Sequence, residues 1–191
     1  MKVKKLQGDK IYLAPVTEEA LEDFVSFMYD AEMALFTSTF AQAFSLEDER
    51  AYFAPSQDKF QLAIYREETH ETLGLVELMK IDPIHRSAEI GISLGRGENR
   101  SQGYGREAMR LMLDQGFGHL NLHTIYLTVL EKNKRAQGLY RSLGFKEAGL
   151  LRDHRYLAGA YENVLYMDLV KEDYPYWRLD DQRKILEQFE K

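Results

Sequence analysis

The 191-residue sequence predicts an α/β domain built on a mixed β-sheet, and three features carry that expectation. Ser87–Leu94 alternates strictly, with Ala88, Ile90, Ile92 and Leu94 on one face and Glu89, Gly91 and Ser93 on the other, the pattern of a half-buried strand. Ala136, Leu139, Tyr140 and Leu143 recur at i, i+3, i+4 and i+7, the apolar stripe of a helix. Between them, residues 123–130 are apolar on both faces, as a central strand requires.

The other elements follow in order. Residues 10–16 form a strand that ends at Pro15-Val16-Thr17. Thr17 before Glu18-Glu19-Ala20 opens a helix with Leu21, Phe24, Val25 and Met28 at helical spacing. Ser45, with Asp48 three places on, opens a second helix that Pro55 ends. Phe60–Arg66 is a strand, residues 67–71 a polar turn, and residues 72–81 the next strand. A loop with Gly95, Gly97 and Gly103 leads into a helix over 104–117, closed by Gly118. Asn133 starts the helix that carries Tyr140, and Gly144 stops it. Strands over 146–156 and 161–170 pair through Ala158-Gly159. The order is β-α-α-β-β-β-α-β-α-β-β over one domain, 1–173. Residues 174–191, with Trp177, Ile185-Leu186 and Phe189, read as an appendage with a short helical end.

Composition narrows the function. With 45% hydrophobic and 29% charged residues the chain is globular, not disordered. Lys and Arg number 25 against 31 Asp and Glu, a net charge of −6 that argues against a nucleic-acid partner and for cationic ones. The absence of cysteine excludes disulfides, thiolate metal sites and a cysteine-bound intermediate. His119 and His123 straddle a helix end and a strand start with no third ligand, so no metal site is expected. No stretch approaches the ~18 apolar residues of a membrane span. The apolar run over 11–16 is too short for a signal peptide. The expectation is a cytoplasmic protein with no membrane partner; a homo-oligomer, dimer or larger, is left open.

Arg100-Ser101-Gln102-Gly103-Tyr104-Gly105-Arg106 carries the most chemistry. Its glycines let the backbone approach a ligand, and the next helix points free N–H groups and its positive dipole end at the same place. With Arg100 and Arg106 this suits a pyrophosphate, although a glycine-rich turn that merely starts a helix fits the glycines equally well. Gly103-x-Gly105-x-x-Ala108 with Glu131 also matches a dinucleotide fingerprint. Against that stand the intervening residues 95–102 and the paired strands at the end of the chain.

Arg100-x-x-Gly103-x-Gly105 resembles the coenzyme A signature of the Gcn5-related N-acetyltransferase (GNAT) superfamily, and Asn133-Lys-Arg-Ala136-Gln-Gly-Leu-Tyr140-Arg-Ser-Leu-Gly144-Phe145 is similar to its second signature. The order of elements matches over about residues 10–170. Gly74-Leu-Val-Glu77-Leu, His85-Arg-x-Ala88-Glu89 and Gly159-x-Tyr161-x-Asn163 resemble bacterial spermidine N-acetyltransferases, and ribosomal-protein N-terminal acetyltransferases share much of the layout. The polyamine enzymes carry a glutamate pair, associated with an allosteric polyamine site, where this chain has Phe36-Thr37-Ser38-Thr39.

The resemblance implies a sheet with splayed central strands and acetyl-CoA as cosubstrate. It places the pantetheine arm along the backbone of Ile92, Ser93 and Leu94, with the oxyanion donor near Leu94. It places the pyrophosphate on Arg100, Ser101, Gln102, Gly103, Tyr104, Gly105 and Arg106. Asn133, Arg135, Ala136 and Tyr140 complete the coenzyme set, with Tyr140 as proton donor to the departing thiolate. By spacing alone Tyr140 is as well read as a core residue, and Asn133 as a helix cap.

Acetyl transfer also needs a neutral amine, because an alkylammonium of pKa near ~10 cannot attack. Glu89 and Glu77, on neighbouring strands, are candidates to attract the cation and relay its proton; His85 is a further candidate base. As plain solvated strand acids the pair would do neither. Three readings follow: a polyamine or small-amine acetyltransferase, a protein N-terminal acetyltransferase, and a coenzyme A-binding module without transfer.

Overall fold

The computed structural model describes residues 3–37, 39 and 41–174. Its eight strands are β1 (Leu6–Gln7), β2 (Ile11–Ala14), β3 (Phe60–Arg66), β4 (Thr72–Asp82), β5 (Ser87–Leu94), β6 (Thr124–Leu130), β7 (Lys146–Leu157) and β8 (Ala160–Val170). They form one mixed sheet in the order β1-β2-β3-β4-β5-β6-β8-β7. Every neighbouring pair is antiparallel except β5 and β6.

Helices cover both faces. α1 (Glu18–Met28), α2 (Ala31–Thr37) and α3 (Leu46–Tyr52) belong to one side; Ala20, Leu21, Phe24, Phe27 and Met33 pack there with Tyr12, Ala63, Tyr65 and Leu75. α4 (Tyr104–Asp114) and α5 (Lys134–Ser142) belong to the other, where Ala108, Met109, Met112, Tyr140 and Leu143 meet the opposite parity of the same strands. Alternation along each strand thus sorts residues between two apolar layers. Glu77, in register with Gly91 on β5 and Gln61 on β3, shares its parity with Leu75 and so belongs to the α1–α3 side.

The α/β class and the element order agree with the sequence, and several boundaries move. β1 and α2 were not expected. α2 begins where Asp30 Oδ1 accepts from the Met33 N–H at 2.9 Å. α3 has the expected Ser45–Asp48 capping box but stops at Tyr52, ahead of Pro55, whose ring disfavours helical backbone at Ala54. The fourth helix is not regular to Phe117. After Asp114 the chain widens into a π-helical turn, with the Leu120 N–H bonded to the Gln115 carbonyl at 3.0 Å, so Gly118 lies inside a turn rather than closing a helix. The wider turn sets Gly116 against Ile125 and buries Phe117 completely. Ala158 and Gly159 both have positive φ (49° and 86°), the geometry of a tight two-residue hairpin. Tyr174, read as the start of the appendage, is buried, with its hydroxyl 3.0 Å from Asp114. Trp177 and the rest of that tail lie outside the described residues.

One departure from a regular sheet positions everything that follows. The β5–β6 ladder runs only through Ser87–Thr124, Ala88–Ile125 and Glu89–Tyr126. Beyond Glu89 the two strands have no register partners in each other, and the sheet opens.

Candidate active site

A cleft of about 910 Å³ occupies this opening and reaches both faces of the sheet. At one end stands the start of α4. Gly103 is its N-cap with φ +92°, and no side chain among the described residues caps the helix, which leaves the first-turn N–H groups available to a ligand. Ser101, Gly103, Gly105 and Arg106 line the cleft there. Ile92, Ser93 and Leu94 form its wall along the open side of β5. Across from them Asn133 caps α5, its Oδ1 accepting from the Ala136 N–H at 3.1 Å, and Arg135, Ala136 and Tyr140 face the same space. Tyr140 is 9% exposed and its hydroxyl has no hydrogen-bond partner among the described residues; burial pushes its pKa up to about 12.

At the other end lie acids. Glu77 is buried, and burial raises its carboxyl above the usual range. Two donors work against that rise: Gln61 Nε2 donates to one oxygen at 2.7 Å, and the Tyr52 hydroxyl lies 2.8 Å from both. Glu89 pairs with Lys80 at 2.8 Å. Glu49, from α3, is buried beside them. A side chain at position 91 would stand about 3.4 Å from a Glu77 oxygen, so the glycine there keeps the space in front of the carboxylate clear.

A family model described as the acetyltransferase (GNAT) domain matches residues 10–146. This chain is a GNAT-family protein. It is 40% identical over 102 residues to a spermidine N(1)-acetyltransferase of Vibrio cholerae, and 38% over 104 residues to that of Escherichia coli K12. These matches take in 53% and 54% of this chain, and the chain spans little more than half of each relative, 58% and 55%. Among solved structures, a spermidine N-acetyltransferase from Vibrio cholerae in complex with CoA and spermine superposes with a TM-score of 0.80 at 26% identity. That match covers 87% of this chain and 99% of the other.

Within this GNAT fold the residues named from the sequence divide into two sets. Ile92, Ser93, Leu94, Ser101, Gly103, Gly105, Arg106, Asn133, Arg135, Ala136, Tyr140, Glu77 and Glu89 all meet at the cleft. Gln102 and Tyr104 do not. The Gln102 carbonyl accepts from Lys10 Nζ at 3.3 Å, and the Tyr104 hydroxyl accepts from Arg66 at 2.7 Å. Arg66 also donates to Asn99 Oδ1 at 2.8 Å, so one guanidinium ties β3 to the loop before α4. Arg100 borders the cleft, but its guanidinium is committed to Asp30 at 3.2 Å, to Glu32 and to the Leu94 and Gly95 carbonyls. The Met33 N–H and then Arg100 hold the Asp30 carboxyl below its usual range. Glu32 takes Arg135 as well, linking α2 to both the loop before α4 and the first turn of α5.

His85 lies outside the cleft lining, its backbone N–H bound to Asp82 at 2.8 Å. Glu131, the acid of the dinucleotide reading, instead accepts from Asn163 at 2.8 Å. Sequence reasoning missed Glu49, Tyr52 and Gln61. The signal for the first two was present: α3 sets Glu49 and Tyr52 three residues apart on one helical face.

Proposed function

We propose that this chain is an acetyl-CoA-dependent N-acetyltransferase whose acceptor is a polyamine or a comparable small amine. One observation carries the reading. A single cleft connects an uncapped helix N-terminus, suited to a pyrophosphate, with a set of buried carboxylates suited to a cation. Family membership and the likeness to spermidine acetyltransferases support the same chemistry.

The residues divide the work along the cleft. The first turn of α4 with Arg106 holds the pyrophosphate, and the open edge of β5 at Ile92–Leu94 holds the pantetheine arm through its backbone. A backbone N–H near Leu94 polarises the thioester carbonyl. The acids draw in the alkylammonium, and a carboxylate, directly or through water, takes the proton that must leave before attack. Glu77 suits that task, since burial raises its proton affinity while Tyr52 and Gln61 keep the charged form accessible. The nitrogen–carbon bond then forms and the carbon–sulfur bond breaks. Tyr140, still protonated at neutral pH, donates to the leaving sulfur, and the tetrahedral nitrogen gives up the proton that replaces it. From ammonium and thioester to amide and thiol, one proton is released overall.

Thiol release from acetyl-CoA, followed with spermine, spermidine, amino sugars and N-terminal peptides, tests the reading. Acceleration by polyamines above the others is the expected result. Acceleration by the peptides alone favours a protein N-terminal acceptor. Coenzyme binding with no amine-dependent release reduces the chain to a binding module.

A further inference from the structure

Glu49 takes no proton in the reaction just derived, and its setting asks for a more specific role. It sits midway along α3, only 4% exposed, in the wall of the cleft. Glu77 is satisfied by Tyr52 and Gln61, and Glu89 by Lys80. Among the described residues nothing donates to the Glu49 carboxylate or pairs with it. Burial raises its pKa, and the nearby charges of Asp48 and Glu77 raise it further. A buried carboxylate without a partner is costly, and acids around it add to the cost. Those conditions are relieved by a cation that enters the cleft from outside.

We infer that Glu49 binds a second ammonium group of the acceptor, making the site selective for diamines and polyamines over monoamines. The inference rests on the amine-acetylating reading above and specifies its acceptor. The two nitrogens of such a molecule have opposite requirements. The one that attacks must be neutral, whereas the distal one keeps its charge, its pKa lying near ~10. Two kinds of carboxylate serve them: Glu77, already held by Tyr52 and Gln61 and facing the charge of Lys59, and Glu49, with no donor among the described residues. Phe24 and Phe53, their rings 5.3 Å apart, also line the cleft and offer apolar surface to the methylenes between the nitrogens.

Calorimetric titration of 1,4-diaminobutane, spermidine and n-butylamine into the wild-type chain, Glu49→Gln and Glu49→Asp tests this, with thiol-release rates measured in parallel. The wild type is expected to bind both diamine-containing probes more tightly than n-butylamine. Glu49→Gln should shrink that preference by about tenfold or more, the size of a hydrogen bond to a charged group. Glu49→Asp, which keeps the charge, should restore part of it. Glutamine is nearly isosteric and relieves repulsion from Asp48 and Glu77, so thermal melting should find the variant folded. A wild type with no preference, or a preference within twofold in Glu49→Gln, overturns the inference. Diamine binding that depends on Glu49 without any amine-dependent thiol release overturns the transferase reading and leaves this one standing. Amine-dependent release with an unchanged preference does the reverse.

Discussion

The hydroxyl of Tyr52 lies 2.8 Å from each carboxylate oxygen of Glu77, so a phenol from α3 clamps a buried acid on β4. The bond stabilises the ionised carboxylate, and removing it raises the Glu77 pKa beyond what burial already imposes. Tyr52→Phe should therefore move the acidic limb of the pH–kcat/KM profile to higher pH and lower kcat/KM at pH 7 by about tenfold. Initial rates across a pH series check this. An unmoved limb would separate Glu77 from the proton that limits the rate.

Tyr140→Phe should lower kcat by about 10²-fold, within the range of general-acid effects, with a much smaller change in KM for acetyl-CoA. In the wild type the hydroxyl, with its pKa at about 12, stays protonated while the amine loses its proton near ~10. Activity should thus keep rising through pH 9 instead of falling on tyrosine ionisation. A variant with full kcat at every pH has no need of this donor.

Position 103 tests the coenzyme end. Its φ of +92° is in the left-handed region, which costs a residue with a side chain about 1–2 kcal/mol. An added Cβ would meet only Lys10 Nζ, at 3.8 Å, so the strain is in the backbone and not in packing. Gly103→Ala should reduce Tm by several degrees and raise KM for acetyl-CoA about tenfold, with less effect on kcat. Melting curves and saturation kinetics read the two effects separately.

Stability should depend on pH through Glu49. Burial and the charges of Asp48 and Glu77 place its folded-state pKa above the unfolded value, so folding favours the protonated form. Below the ordinary carboxylate range both states are protonated and Glu49→Gln changes little. As pH rises through the folded pKa, the wild type must carry the buried charge and loses that contribution. Glu49→Gln should therefore melt about 2–4 °C above the wild type at pH 7, the shift of ~1 kcal/mol in a domain of this size, and together with it at pH 4. Equal melting points at pH 7 would show that the charge is relieved within the folded protein.

Arg66 holds the loop before α4 through Asn99 and Tyr104, and Asn99 Nδ2 is itself buried without a partner among the described residues. Arg66→Met leaves Asn99 Oδ1, the Tyr104 hydroxyl and the Glu71 carboxylate without this donor, which should cost about 1–3 kcal/mol. Hydrogen exchange over residues 97–104 should quicken more than in β2 or β3. Uniform exchange across the sheet would deny the guanidinium its local role.

What could be read from the sequence followed the physics of each segment. β3 and β5 emerged with correct ends because their period-two pattern is bounded by turns, and Thr17, Ser45 and Asn133 proved to be caps because capping depends on one side chain and its local backbone. The π-helical turn was hidden, since it arises from the packing of Gly116 and Phe117 on β6 and not from local preference. β1 was hidden for a related reason: two residues hold little pattern, and only pairing with β2 makes them a strand. At the site, Gly103 and Asn133 were legible from short motifs. The union of Glu49, Tyr52 and Gln61 around Glu77 was not, because it joins α3, β3 and β4 across up to 28 positions of chain, from Glu49 to Glu77. Arg100 illustrates the opposite limit. Its charge suggested a phosphate ligand, yet two carboxylates and two carbonyls of its own chain claim it.

The short parallel ladder between β5 and β6 has a consequence for how the molecule assembles. On one side, β1 to β5 form successive antiparallel neighbours; on the other, β6, β8 and β7 form a second antiparallel group. Among the described residues only Ser87–Glu89 joins the two by strand pairing, with the crossover through α4. That junction rests on three register pairs, whereas β4 and β5 share seven and so do β6 and β8. The junction that opens into the cleft is therefore the one with the least backbone pairing and the first expected to part when the chain unfolds, two cooperative units meeting at the proposed site.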